Sequence, residues 1–158
     1  MAPAALAVVT ALFLPSFFGD DAVNLMPQSD VQGTLAFYQT ARPGTIFALA
    51  DNFPGNIDGR YNLFEMQFLY GAGGLITGPN LYVSNATAFT RVIEHNDPTP
   101  GEPSYVLITQ SMLTNGLEYG FLTSTDIADL RGMLNRAPGW VRVYNAHGVT
   151  AFELPPSG

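Results

Sequence analysis

The chain predicts an α/β fold: a three-layer sandwich on a Rossmann-like, mainly parallel sheet, with an antiparallel hairpin at its C-terminal edge. Three observations carry this. Thr45–Ala50 (TIFALA) and Tyr105–Thr109 (YVLIT) are short apolar runs with no polar alternate, the pattern of strands buried on both faces. Segments with helical spacing and polar caps lie around and between them. Near the end, Trp140–Tyr144 and Val149–Leu154 flank the turn Asn145-Ala146-His147-Gly148, as the two arms of a hairpin do.

The first helix is read over Ser29–Thr40. Ser29 and Gln32 spell a capping box, Val31, Leu35 and Tyr38 recur at helical spacing, and Arg42-Pro43-Gly44 stops the run. The strand Thr45–Ala50 then empties into a polar, glycine-rich loop, residues 51–60 (DNFPGNIDGR). Tyr61–Tyr70 is apolar and aromatic and reads as a helix packed on the sheet; residues 71–80 read as loop and Leu81–Ser84 as a short strand. Asn85 caps a helix through Asn96 with Phe89, Val92 and Ile93 inward. The proline-rich stretch 97–104 (DPTPGEPS) is a connector. After the second buried strand come a short helix, Gln110–Tyr119, and another capped by Ser124 or Thr125, with Ile127, Leu130, Met133 and Leu134 on one stripe and Pro138-Gly139 at its end.

Length and charge bound the function. A chain of 158 residues suits one domain with a real core. It has no cysteine, hence no disulfide framework and no thiolate chemistry. With no lysine, its positive charges are six arginines, scattered along the sequence against a net charge of −7. That balance excludes phosphate-backbone binding of nucleic acid and disfavours adsorption to anionic lipid.

The start of the chain is lopsided. Residues 1–19 carry no charged side chain, and Ala4–Phe18 is apolar but for Thr10, Pro15 and Ser16. This run falls short of the roughly 20 residues of a complete span and lacks the positive n-region of a signal peptide. Asp20 and Asp21 follow at once, and Arg42 is the first arginine, a flank typical of the translocated side. The expectation is the end of a transmembrane helix plus linker over residues 1–26, then an extracytoplasmic α/β domain over 27–158. A signal or anchor, and a buried core helix, are the rival readings.

From Tyr105 the sequence runs YVLITQSMLTNGLEYGFLTSTDIADLRGMLNRAPGWVRVYNAHGVTAFELP. A strand, Thr-Gln, a capped helix, then Trp140-Val141, Val143-Tyr144-Asn145 and Gly148 to Leu154 in that order resemble the carboxyl-terminal tail of large actinobacterial membrane glycosyltransferases. These are similar to the multi-spanning, polyprenyl-phosphate-sugar-dependent class called GT-C. Phe18-Gly19-Asp20, the Ser29 helix and Arg42-Pro43-Gly44 before a strand also fit, so the resemblance covers residues 15–155. It implies a last membrane span leading into an extracytoplasmic domain of a cell-envelope enzyme. In that class the catalytic carboxylate lies in an early loop between membrane helices, so no catalytic residue carries over. The implied role is a non-catalytic accessory domain, without cofactor, at the cell membrane's outer face, near a glycan or a polyprenyl-linked sugar. The alternatives are a free-standing secreted or membrane-anchored small hydrolase and a protein-interaction domain.

The loop Asp51–Glu65 is the candidate binding site, because open α/β sheets place ligands at the carboxyl ends of parallel strands. Asp51, Asn52, Asn56, Asp58, Arg60 and Tyr61 offer hydrogen bonds to sugar hydroxyls or a carboxylate; the plainer reading is a solvated loop of turn-forming residues. Asn56, Asp58, Gly59 and Glu65 also fall at four positions of a calcium loop, but Pro54 stands where its first ligand belongs, and no metal site is assigned. Gly71-Ala72-Gly73-Gly74 is not a dinucleotide fingerprint, and no GxSxG elbow occurs. His95 and His147 lack local metal-ligand partners. Asp126 and Asp129 suit the first turns of a helix. Tyr61, Trp140 and Tyr144 have rings that stack on sugars, though Trp140 reads first as a core anchor. Asn85-Ala86-Thr87 is a formal glycosylation sequon better explained as a helix cap.

Overall fold

A computed structural model of the chain describes residues 26–50, 52, 54, 59–70, 74–75 and 85–156. The membrane segment expected over 1–26 (apart from Met26), the strand expected over 81–84, and Asp51, Asn56 and Asp58 lie outside the described residues. Among those described, helices accompany one mixed sheet of five strands. The elements are α1 (Gln28–Thr40), β1 (Gly44–Ala48), a 3-10 turn (Gly59–Leu63), β2 (Phe64–Phe68), α2 (Ala86–Asn96), β3 (Ser104–Ile108), α3 (Gln110–Glu118), α4 (Ser124–Arg136), β4 (Val141–Ala146) and β5 (Val149–Leu154).

The strand order is β2-β1-β3-β5-β4. β1 pairs in parallel with both β2 and β3, and β5 joins β3 and β4 antiparallel. Every residue of β1 and β3 is buried, which is why these two runs contain no polar alternate. The α/β class, the parallel centre and the antiparallel C-terminal hairpin therefore agree with the sequence reading.

Cross-strand register sorts side chains by face. Phe64, Ile46, Tyr105 and Ala151 belong to one face, and Phe37 of α1 packs there, with its ring 5.3 Å from Tyr105 and 6.1 Å from Phe64. Tyr38 stacks on Phe64 at 5.3 Å. Each such aromatic pair adds about 0.5–1.5 kcal/mol beyond its buried area. Val106, Ile108, Thr150 and Phe152 belong to the other face.

Several local expectations are corrected. Tyr61–Tyr70 is not a helix: a 3-10 turn leads into β2. A short apolar run cannot be assigned by periodicity, and the free edge of β1 decided it by offering a parallel ladder. Ser29 does not cap α1; Pro27 precedes the helix and no side-chain cap bond forms. Nor do Val31 and Leu35 make its buried stripe. That face is Asp30, Gly33, Thr34, Phe37 and Tyr38, so two polar residues and a glycine stand where helical periodicity calls for apolar ones. Thr123, rather than Ser124 or Thr125, caps α4 through a reciprocal box with Asp126. The hairpin loop is two residues, not four: His147 (φ 51°) and Gly148 (φ 74°) both take the left-handed backbone that a tight primed turn demands.

Other expectations agree. Asn85 Oδ1 accepts the Ala88 amide at 3.0 Å. Ile127, Leu130, Met133 and Leu134 are buried on α4. Trp140 is buried, and its Nε1 donates to Thr90 Oγ1 at 2.9 Å, as a core anchor does.

Candidate functional site

The connection β1 to β2 moves one way along the sheet, and β2 to β3 returns past β1 to its other side. The carboxyl ends of β1 and β3 are thus the point where the topology reverses, the usual ligand crevice of such sheets. Here that point is filled by the protein's own polar groups. Asp30, in the first turn of α1, is fully buried, and its Oδ2 accepts the Ser111 amide at 2.7 Å. Ser111 Oγ donates to the Asn52 carbonyl at 3.1 Å and lies 2.9 Å from Thr109 Oγ1. Thr109 in turn caps α3 by accepting the Met112 amide. Asp30 Oδ1 has no hydrogen-bond partner among the described residues, and a Cβ at Gly148 would stand 2.7 Å from it.

This arrangement is not a hydrolytic triad. Ser111 is buried, and its hydroxyl is committed to a backbone carbonyl rather than to a histidine. Among the described residues, no group of three His, Asp or Glu is placed to hold a metal ion.

The loop residues expected to form the site divide. Asn52 is buried, its carbonyl part of the Ser111 network. Arg60 is exposed, while Tyr61 is half-buried with its ring 6.4 Å from that of Tyr38. Asn52 thus serves the interior, and Tyr61 leans on the core. Glu65, the last position of the calcium-like pattern, lies within β2.

Beside the reversal point lies a cleft of about 310 Å³ that the sequence did not disclose. Its walls carry Gln110 of α3, Arg131 and Asn135 of α4, Arg142 and Asn145 of β4, and His147 of the hairpin turn. Arg131 and Asn135 are one helical turn apart, and the Asn135 amide donates to the Arg131 carbonyl at 2.7 Å. On β4 a register shift between Arg142 and Tyr144 inserts one extra residue. Arg142 therefore shares a face with Phe152, Tyr144 with Ala151, and Asn145 with Thr150. Without the bulge, Arg142 and Asn145, three residues apart, would point to opposite faces. With it, both reach the cleft, and Tyr144 packs against Phe37 at 6.3 Å instead of facing a sugar. The arginines looked scattered because neither an α4-to-β4 approach nor a bulge has a signature in a charge count.

At the opposite end, the amino ends of β1 and β3 meet at Asp97. Thr45 Oγ1 and the Thr99 amide donate to its Oδ1, and Ser104 Oγ donates to Oδ2 at 2.7 Å. Burial alone would raise its pKa; hydrogen bonds from Thr45, Ser104 and Thr99 outweigh that and hold it below the usual value.

No protein-family model, curated protein or solved structure matches the chain. No helix among the described residues is long and apolar enough to cross a membrane.

Proposed function

We propose that this chain is a non-catalytic accessory domain of a polytopic membrane glycosyltransferase of cell-envelope glycan assembly. It stands on the extracytoplasmic face, tethered through residues 1–26, and contacts the lipid-linked donor or the acceptor glycan. Its architecture is a Rossmann-like three-layer sandwich, a reading supported by the strand order and by the division of side chains between the Tyr105 and Phe152 faces.

One observation carries the non-catalytic reading. At the carboxyl ends of β1 and β3, where α/β enzymes gather reactive groups, Asp30, Ser111, Thr109 and Asn52 are buried and bonded to one another. Such groups brace the fold and have no access to a substrate. The open cleft beside them, lined by hydrogen-bond donors and aliphatic stems, has the form of a binding surface.

The protein-interaction alternative draws on a different feature. Leu117 in the last turn of α3, and Tyr119 and Phe121 just after it, are exposed, and the Tyr119 and Phe121 rings stack at 5.9 Å.

Reading the genomic DNA upstream of the Met1 codon tests the proposal. A frame that continues through several hydrophobic spans is the expected result. A stop codon with a ribosome-binding site immediately upstream would overturn it.

A further inference from the structure

We infer that the cleft between α4 and the β4–β5 hairpin is a binding site for a phosphoryl group carried on a small hydroxyl-bearing molecule or on a lipid. The argument starts from charge. In a chain of net charge −7, this one cleft collects two of the six arginines and one of the two histidines, and no Asp or Glu lines it. Arg42 pairs with Glu153 at 2.6 Å, whereas neither Arg131 nor Arg142 forms an ion pair with a carboxylate among the described residues. Arg131 Nε is moreover buried without a hydrogen-bond partner among the described residues. A buried guanidinium N–H left unbonded costs about 1–3 kcal/mol, and two neighbouring cations repel, unless an anion completes the set.

Asp30 is fully buried beside Gly148, with its Oδ2 accepting the Ser111 amide, and is not among the residues that line the cleft. The remaining donors fix the ligand class. Guanidinium groups suit the oxygens of a phosphate through paired N–H bonds. The side-chain amides of Gln110, Asn135 and Asn145 are neutral groups that both donate and accept, as hydroxyls require. At about 310 Å³ the cleft is the size of a sugar phosphate. The β4 bulge is the device that aims Arg142 and Asn145 together.

This inference does not rest on the membrane reading, and the result of the upstream sequence leaves it standing or falling by itself. Calorimetric titration of the full chain in a neutral detergent tests it with three probes: inorganic phosphate, a hexose 1-phosphate and decyl phosphate. Saturable binding is expected, weakened about tenfold or more by Arg142→Gln and by Arg131→Gln. Arg91→Gln, outside the cleft, should bind as the parent does. Tighter binding of the hexose phosphate assigns a soluble phosphorylated ligand; tighter binding of decyl phosphate assigns a lipid one. Should Arg131→Gln lower the melting temperature, Arg142→Gln and Asn145→Ala, both on the exposed β4, decide the matter alone. Failure of all three probes to saturate by ~10 mM, or unchanged binding by Arg142→Gln, overturns the inference.

Discussion

The two ends of the sheet are built on opposite terms. At the amino end a cavity of about 350 Å³ is lined by Glu94, Asp97 and Glu102 and by no basic residue. At the carboxyl end the cleft is lined by Arg131, Arg142 and His147 and by no acid. Hydrogen bonding follows the same division. Asp97 has both oxygens bonded to neighbouring hydroxyls and amides, and Tyr105 Oη donates to the Arg42 carbonyl at 3.1 Å. On the other side Asp30 Oδ1, Tyr70 Oη just past β2, and Arg131 Nε are buried without partners among the described residues. Buried polar groups are nearly always paired, so the amino end reads as a finished structural joint. The carboxyl end keeps a surplus of unbonded polar atoms, which is the condition for binding something else.

Breaking the joint should have the largest effect. A Cβ at Gly44 would fall on the Pro103 carbonyl oxygen, so Gly44→Ala must part β1 from the strand beside it. A loss of about 3 kcal/mol in urea unfolding is expected. A smaller loss would mean that the Pro103 segment yields easily and the amino end is not the rigid end.

The aspartates give a direct contrast. Asp97→Asn gives up an acceptor in use and should cost about 1–2 kcal/mol. Asp30→Asn can keep its single bond to the Ser111 amide and should cost less than about 1 kcal/mol. The reverse order of stabilities, measured by urea titration, would undo the contrast between the two ends.

Acid sharpens it further. The folded pKa of Asp97 lies below its ordinary value of 3.8, so in that window the unfolded chain binds more protons. The stabilisation is complete above the ordinary value and is lost as pH falls through the folded one. The acid slope of stability should flatten in Asp97→Asn.

The tyrosines carry the smallest effect. Burial first, then nearby acids, push Tyr70 and Tyr105 up to about 12. Stability should therefore fall as pH rises from the ordinary 10 towards 12, because the unfolded phenols ionise first. Tyr105→Phe should cost about 1 kcal/mol, while Tyr70→Phe, which removes a hydroxyl without a partner, should be close to neutral. Equal costs would show that Tyr70 Oη has a partner after all.

How far these features were legible in the sequence varied with their physical origin. The buried strands of β1 and β3, the Asn85 cap and the Leu130 stripe announce themselves, because hydrophobic periodicity and capping are local. α1 misled because its buried face is polar at Asp30 and Thr34; those residues are inside only because α3 and the hairpin meet the helix there. β2 was ambiguous until an edge of β1 was available to pair it. Of the loop residues predicted to form a site, Asn52 is internal, and the convergence of Arg131 and Arg142 has no signal in the sequence because a list of arginines has no geometry.

What the sequence determined alone was the class of the molecule: an α/β chain, acidic overall, without thiol chemistry, with an apolar start and two strands destined for the interior. These follow from composition and from periods of two and 3.6, which each segment carries by itself. Only the tertiary structure decided which polar groups would be consumed and which left over. The Asp30–Ser111 bond joins residues 81 positions apart. The pairing of Arg131 with Arg142 in one cleft depends on a single inserted residue in β4. Both are consequences of where the chain returns to itself, and a one-dimensional pattern holds no record of that.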